Sequence, residues 1–188
     1  MKQRTGVLVA LLLAGCSTAE SPALSGGPRL RGARSAPWGP QKLDDMAARL
    51  LALHNRERAA VGAAPLVWDP KLAAAAASYG PSLAAIERLE HSAPASRPEQ
   101  GENLWMGTKG AYSIEAMAGS WAAERSLFRA GIFPDIARTG NWAAVGHYTQ
   151  MIWPGTTAVG CALHKSGRWD YLICRYAPAG NVRGGRLP

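Results

Sequence analysis

No apolar run in the first part of this chain is long enough to cross a bilayer. The stretch Val7 to Ala14 is far short of the roughly 20 residues that a spanning helix needs. Also missing are a G-x-S-x-G nucleophile elbow, a Gly-rich phosphate loop and a haem-attachment motif, which removes the usual sequence grounds for an α/β-hydrolase or a P-loop enzyme. Asn55, Asn103, Asn141 and Asn181 each have the wrong residue two positions on, so no N-glycosylation sequon exists. Charged residues make up only 18% of the chain while 47% are hydrophobic, which excludes a disordered polyelectrolyte and fits one globular domain. Cysteine is scarce, with three in 188 residues.

What is present begins with an export signal. Lys2 and Arg4 precede the short apolar run, and Leu13-Ala14-Gly15-Cys16 looks like a bacterial lipobox, in which Cys16 carries the lipid. An ordinary secretory signal with an incidental cysteine is the alternative. Ser17, rather than aspartate, follows the cysteine, which predicts an outer-membrane lipoprotein facing the periplasm, or a secreted protein if Cys16 is not lipidated. Residues 1–15 are thus expected to be a leader and 16–40 a tether, broken by Pro22, Pro28, Pro37, Pro40 and several glycines. Most of the net charge of +8 sits at the ends, in Arg29, Arg31, Arg34, Arg183 and Arg186. Residues 183–188 read as a basic tail, and residues 41–182 are close to neutral. That distribution suits attraction to anionic headgroups or wall polymers, not a nucleic-acid cleft.

With Cys16 lipidated, Cys161 and Cys174 remain. Thr157–His164 and Trp169–Tyr176 read as a hairpin, and symmetry about Gly167-Arg168 sets Cys161 opposite Cys174 in bridging range. Two buried free thiols are the alternative. The Gly-x pair predicts a type II′ turn.

Upstream, Leu43, Met46, Ala47, Leu50, Leu51 and His54 share one helical face, with Gly62 past its end. Asp69-Pro70 opens an alanine-rich helix that Gly80-Pro81 is expected to kink or break. Ser113 caps a third helix with Ile114, Met117, Ala118, Trp121, Arg125 and Phe128 on its apolar face. A short helix around His147–Trp153 stops at Pro154-Gly155, and Asn103–Met106 reads as a strand. His54 is expected to be a satisfied core histidine, with Asn55 and Arg58 tying its helix to loops. His164 reads as a solvated strand residue, and Trp105, Tyr148 and Trp153 as core or cleft wall.

Two blocks are especially specific: Gly146-His147-Tyr148-Thr149-Gln150-Met151-Ile152-Trp153, and Tyr171-Leu172-Ile173-Cys174-Arg175-Tyr176-Ala177-Pro178-Ala179-Gly180-Asn181-Val182. With His54-Asn55-x-x-Arg58, Glu90-His91-Ser92, Gly101-Glu102-Asn103 and Trp121-x-x-Glu124, they resemble, in order and spacing, the CAP family of cysteine-rich secretory, antigen 5 and pathogenesis-related proteins. The resemblance covers about residues 41–182. It implies an α+β fold, a three-layer α-β-α sandwich around a small, largely antiparallel sheet, and a monomeric domain.

Spacings of 11, 22 and 23 residues between His91, Glu102, Glu124 and His147 match no compact zinc signature. The resemblance implies instead that these four converge in a surface cleft. Neutral imidazoles are good ligands for zinc or another divalent metal, and the carboxylates could ligate, orient water or fix the imidazole tautomers. A hydrogen-bonded polar cluster is the bland alternative. Trp121, three residues before Glu124, could shield it. Two functions follow. One is a binding module with a metal cleft and a groove for a lipid, sterol or cell-wall component. The other is a zinc-assisted hydrolase of a peptide, ester or wall substrate, with Glu102 or Glu124 as base. Ser92 beside His91 is a poor nucleophile candidate, because sequence neighbours usually point different ways.

Overall fold

The computed structural model describes residues 44–188; the leader, the tether, Cys16 and Leu43 lie outside that span. Helix α1 (Asp45–Ala60) starts where the Asp44 carboxylate accepts the Ala47 N–H at 2.7 Å and ends just before Gly62, which adopts φ 72°. Its buried side is Ala47, Leu50, Leu53, His54, Glu57 and Arg58, with Met46 and Leu51 half-buried against the same core. A two-residue strand, β1 (Val67–Trp68), leads into α2 (Pro70–Ile86), capped by Asp69. The expected break at Gly80-Pro81 does not occur, and α2 is assigned as helix throughout. Pro81 lies on the exposed side, while Gly80 faces the sheet so closely that an added Cβ would fall 2.5 Å from the His164 Cβ. Packing at the bare glycine holds the helix through its proline. His164 is correspondingly half-buried under α2, not solvated.

Strand β2 (Gly101–Thr108) is followed by α3 (Ile114–Ala123), whose Ser113 hydroxyl accepts the Ala116 N–H. A 3₁₀ turn, Glu124–Leu127, continues α3, and a second one, Trp142–Val145, runs into α4 (Gly146–Met151). Between them lies β3 (Gly131–Ile132). The long hairpin is β4 (Ala158–Lys165) and β5 (Trp169–Ala177). The last six residues are not a loose tail: β6 (Arg186–Leu187) pairs with β3, and Leu187 is buried.

Four strands form the main sheet in the order β1-β4-β5-β2, antiparallel except for β1 beside β4. Alternation splits the side chains between two cores. Leu104, Tyr171 and Ile173 face α2 with Ala76 and Leu83, while Val159, Cys161, Leu172, Cys174 and Tyr176 face α1, α3 and α4. Helices on both faces of the sheet make this an α-β-α sandwich. Cys161 stands directly opposite Cys174, and the two form a disulfide with Cα atoms 4.1 Å apart. Closing so short a loop stabilises by about 3 kcal/mol in the chain-entropy model. The hairpin has its two-residue connection, but Gly167 does not enter the positive-φ region a type II′ turn needs. Ser166 closes the turn instead: its hydroxyl accepts from the Trp169 N–H and donates to the Trp169 carbonyl.

His54 is fully buried, and both ring nitrogens are satisfied. Nδ1–H donates to the Leu50 carbonyl at 2.7 Å, and Nε2 accepts the Tyr176 hydroxyl at 2.8 Å. Asn55 exchanges two hydrogen bonds with the Leu66 backbone, and Arg58 donates to the carbonyls of Ala64, Met151, Trp153 and Thr156. Burial, with a smaller push from the Arg58 charge, lowers the His54 pKa from 6.5 to about 4, against the opposing Leu50 bond. The folded protein therefore keeps this ring neutral where the unfolded chain takes up a proton. Stability from His54 is present above pH 6.5 and falls as pH drops towards 4, by up to about 3 kcal/mol. Urea unfolding across that window should show the loss in the wild type and a much flatter profile in His54→Gln; equal pH dependence in the two would contradict this account.

Candidate functional site

Edge strand β2 organises the site through two consecutive residues. Glu102 and Asn103 project to opposite faces of the sheet, because side chains alternate along a strand. On the α2 face, Glu102 reaches the loop that follows α2. Its Oε1 accepts the His91 Nδ1–H at 2.7 Å and the Ser92 N–H at 3.0 Å, and its Oε2 accepts the Ser92 hydroxyl at 3.0 Å. On the other face, the Asn103 amide donates to the His147 carbonyl at the start of α4 and to the Tyr176 hydroxyl, both at 3.1 Å. One strand thus grips both histidine-bearing segments.

The sheet register supplies the countercharge. Arg175 of β5 is the direct cross-strand partner of Glu102, and its Nη2 lies 3.1 Å from Glu102 Oε2, with both side chains buried. Its guanidinium also sits over the Tyr79 ring at 5.6 Å, while Nε and Nη1 have no hydrogen-bond partner among the described residues. Burial alone would raise the Glu102 pKa. The His91 hydrogen bond, the Arg175 charge and the two Ser92 donors more than offset it, so the group stays ionised below the usual carboxylate range.

The second pair comes from the turn after α3. Glu124 Oε1 accepts the His147 Nδ1–H at 2.6 Å, and its Oε2 accepts the backbone N–H groups of His147 and Tyr148, both at 3.0 Å. A carboxylate can only accept, so in its neutral form each imidazole is the Nδ1–H tautomer with Nε2 carrying the lone pair. Neither Nε2 has a hydrogen-bond partner among the described residues. Trp121, expected as a shield for Glu124, stacks instead on the His147 ring, with centroids 6.0 Å apart and planes 15° from parallel.

His91, Glu102 and His147 line one cleft of about 530 Å³, which Glu124 supports from behind. Three of the four residues expected to converge line the cleft, and the four form two separate imidazole–carboxylate pairs. Among the described residues no group of three or more His, Cys, Asp or Glu forms a ligand set. The cleft also takes in Arg97, Asn103, Gln150 and Trp142, which sequence reasoning did not single out as site residues. Gln150 and Asn103 lie inside the specific blocks, but Arg97 and Trp142 carry no sequence signal of their own. Tyr148 does not line the cleft; it is buried against Phe128. Ser92 donates to Glu102, so it is no nucleophile for His91.

Comparison with known proteins agrees with this architecture. The CAP family, described as the cysteine-rich secretory protein family, matches residues 51–176, and the chain belongs to it. It is 35% identical over 135 residues to a PR-1 type pathogenesis-related protein of Sambucus nigra, covering 71% of this chain and 76% of the relative. Pathogenesis-related protein 1 of Arabidopsis thaliana is 34% identical over 143 residues, covering 76% and 82%. Among solved structures, NaASP2 with Zn2+ superposes with a TM-score of 0.63 at 23% identity, over 79% of this chain and 87% of that one. An outer surface protein of Borrelia burgdorferi superposes at 0.50 with 13% identity, over 74% and 95%. At these identities the two structures speak to the fold alone.

Because Glu102 neutralises a buried Arg175, Glu102→Gln should cost roughly 3–5 kcal/mol of stability, the usual loss when one member of a buried pair is removed. Glu124→Gln faces no buried cation and should cost far less. Comparing the two midpoints in urea checks this, and equal losses would show that the Arg175 pair does not set the difference.

Proposed function

We propose that this protein is an exported CAP-domain binding module whose cleft holds a divalent cation, zinc foremost, on His91 and His147. One observation carries the reading. Both Nδ1 atoms are occupied by carboxylates, so both Nε2 lone pairs remain available at the cleft. Two neutral imidazole nitrogens fit a borderline metal such as zinc, with water or ligand oxygens filling the other positions. Glu102 and Glu124 would act behind them, fixing ring orientation and raising ligand basicity. NaASP2, which shares the fold, was solved with Zn2+.

Binding is favoured over the zinc-assisted hydrolase. A hydrolase of that kind needs a carboxylate free to take a proton from water. Glu102 already accepts three hydrogen bonds and pairs with Arg175, and Glu124 accepts three N–H groups. Of the ligands considered, a cell-wall component suits the Arg97, Asn103, Gln150 and Asn181 side chains of the cleft better than a sterol or lipid. Of the tryptophans that could have lined a lipid groove, Trp121 and Trp153 are buried in the core. We place the domain on a lipidated Cys16, at the outer membrane facing the periplasm. The lipobox-like Leu13–Cys16 supports this, and among the described residues no helix is long and apolar enough to cross a membrane.

Titration calorimetry with zinc chloride on the full chain tests the cleft. The wild type should bind saturably, and His91→Ala and His147→Ala should each lose most of the affinity while keeping the fold by circular dichroism. Wild-type affinity in the double variant would remove the metal from this reading. Fractionation tests the anchor: Cys16→Ser protein should leave the membranes, and normal maturation with continued membrane attachment would refute lipidation.

A further inference from the structure

Among the described residues, Trp142 is the one large exposed hydrophobic side chain that lines the cleft; it is 44% exposed. Its open face is apolar area that a ligand would remove from water. Its position is fixed. The ring packs edge-to-face on Phe133, with centroids 5.2 Å apart at 62°, and a Cβ at Gly146 would lie only 3.2 Å from Trp142 Cζ3. The bare glycine at the start of α4 is what lets the indole lie against that helix. The 3₁₀ turn that carries Trp142 is itself capped, the Asn141 side-chain Oδ1 accepting the Ala143 N–H at 3.1 Å. Such a platform is organised before any ligand arrives.

Around it the polar side chains of Arg97, Asn103, Gln150 and Asn181 alternate with alanines and glycines. The Nε2 atoms of His91 and His147 are acceptors in search of donors, and their side chains are 56% and 34% exposed. Arg97 reaches the cleft while two of its nitrogens hold the carbonyls of Ser92 and Gln100. A ligand complementary to this set needs one flat apolar face for the indole and several O–H donors around its rim. A sterol or acyl chain has the first and little of the second. A pyranose ring with equatorial hydroxyls has both, since its axial C–H bonds form an apolar face that meets the negative face of an aromatic ring. The volume, about 530 Å³, falls in the ~300–1,000 Å³ range of small-molecule sites.

We propose that the cleft, when metal-free, binds an equatorially substituted pyranose glycan, one ring stacked on Trp142 and its hydroxyls donating to His91 and His147 in place of the cation. The proposal rests on the reading of the domain as a binding module and names its ligand class. A plain glucan and an amino-sugar glycan share this chemistry, and the probes separate them.

Calorimetry on the full chain in EDTA, with cellotetraose for the plain glucan and chitotetraose for the amino-sugar glycan, should show saturable binding of at least one. Trp142→Ala should weaken it about tenfold, and Trp142→Tyr, which keeps a platform, should stay near the wild type. Thermal melting of Trp142→Ala shows whether the Phe133 contact matters to folding, and Trp142→Tyr keeps the test decisive if it does. A galactose-configured oligomer, with one axial hydroxyl, should bind more weakly. No binding of either tetraose at millimolar concentration, or affinity indifferent to Trp142→Ala, would overturn the proposal. So would binding of a wall-derived peptide in place of both sugars. Zinc binding without sugar binding removes this inference and leaves the metal cleft standing; sugar binding in EDTA without zinc affinity leaves the inference and removes the metal.

Discussion

A hydrogen bond from imidazole to carboxylate, made twice, is the constraint on which the cleft depends. Glu102 takes the Nδ1–H of His91 and Glu124 takes that of His147. Each carboxylate also accepts backbone N–H groups beside its histidine, so ring and main chain are held by one anchor. These anchors turn two titratable side chains into two fixed lone-pair donors, which is the property a ligand meets. The carboxylates themselves are saturated with donors, and a saturated carboxylate orients its neighbours better than it moves protons.

The anchors stand where they do because of sheet register. Edge strand β2 sends Glu102 to one face and Asn103 to the other, and each grips a different histidine segment. Pairing with β5 then fixes Arg175 opposite Glu102 and so provides the charge that keeps a buried carboxylate ionised. The same strand carries Tyr176, whose hydroxyl joins Asn103 to His54 and thereby ties the cleft to the core of α1. The Cys161–Cys174 disulfide links β5 to β4 in the same stretch. A single slip in register would exchange the two faces and dissolve all of these contacts together.

Much of this was legible in the chain because local chemistry dictates it. Asp69 and Ser113 announce two helix starts, and strand alternation about Gly167-Arg168 is enough to place Cys161 against Cys174. His54 read as a core residue from its place on an apolar helical face. The misses share a physical cause, which is dependence on contacts distant in sequence. Two-residue strands such as β1, β3 and β6 are too short to have a period, so Arg186-Leu187 passed for a tail until it met Gly131-Ile132. Pro81 signals a break by itself, yet the close seat of Gly80 on His164 outweighs it. Glu102 and Arg175 are 73 residues apart, and nothing but the β2–β5 register shows that they pair. Trp142 carries no signal of its own, because sequence does not report that its neighbours leave one side open.

The tautomer of the two cleft histidines tests the central claim most directly. Long-range ¹H–¹⁵N correlation spectra of the imidazole rings, recorded on metal-free protein at mildly alkaline pH, report which nitrogen bears the proton. The account predicts that His91 and His147 both show a protonated Nδ1 and a bare Nε2, and that Glu124→Gln changes the pattern for His147 while leaving His91 unaltered. Protons found on Nε2 of both rings in the wild type would contradict it, since the carboxylates would then not be holding the histidines as described.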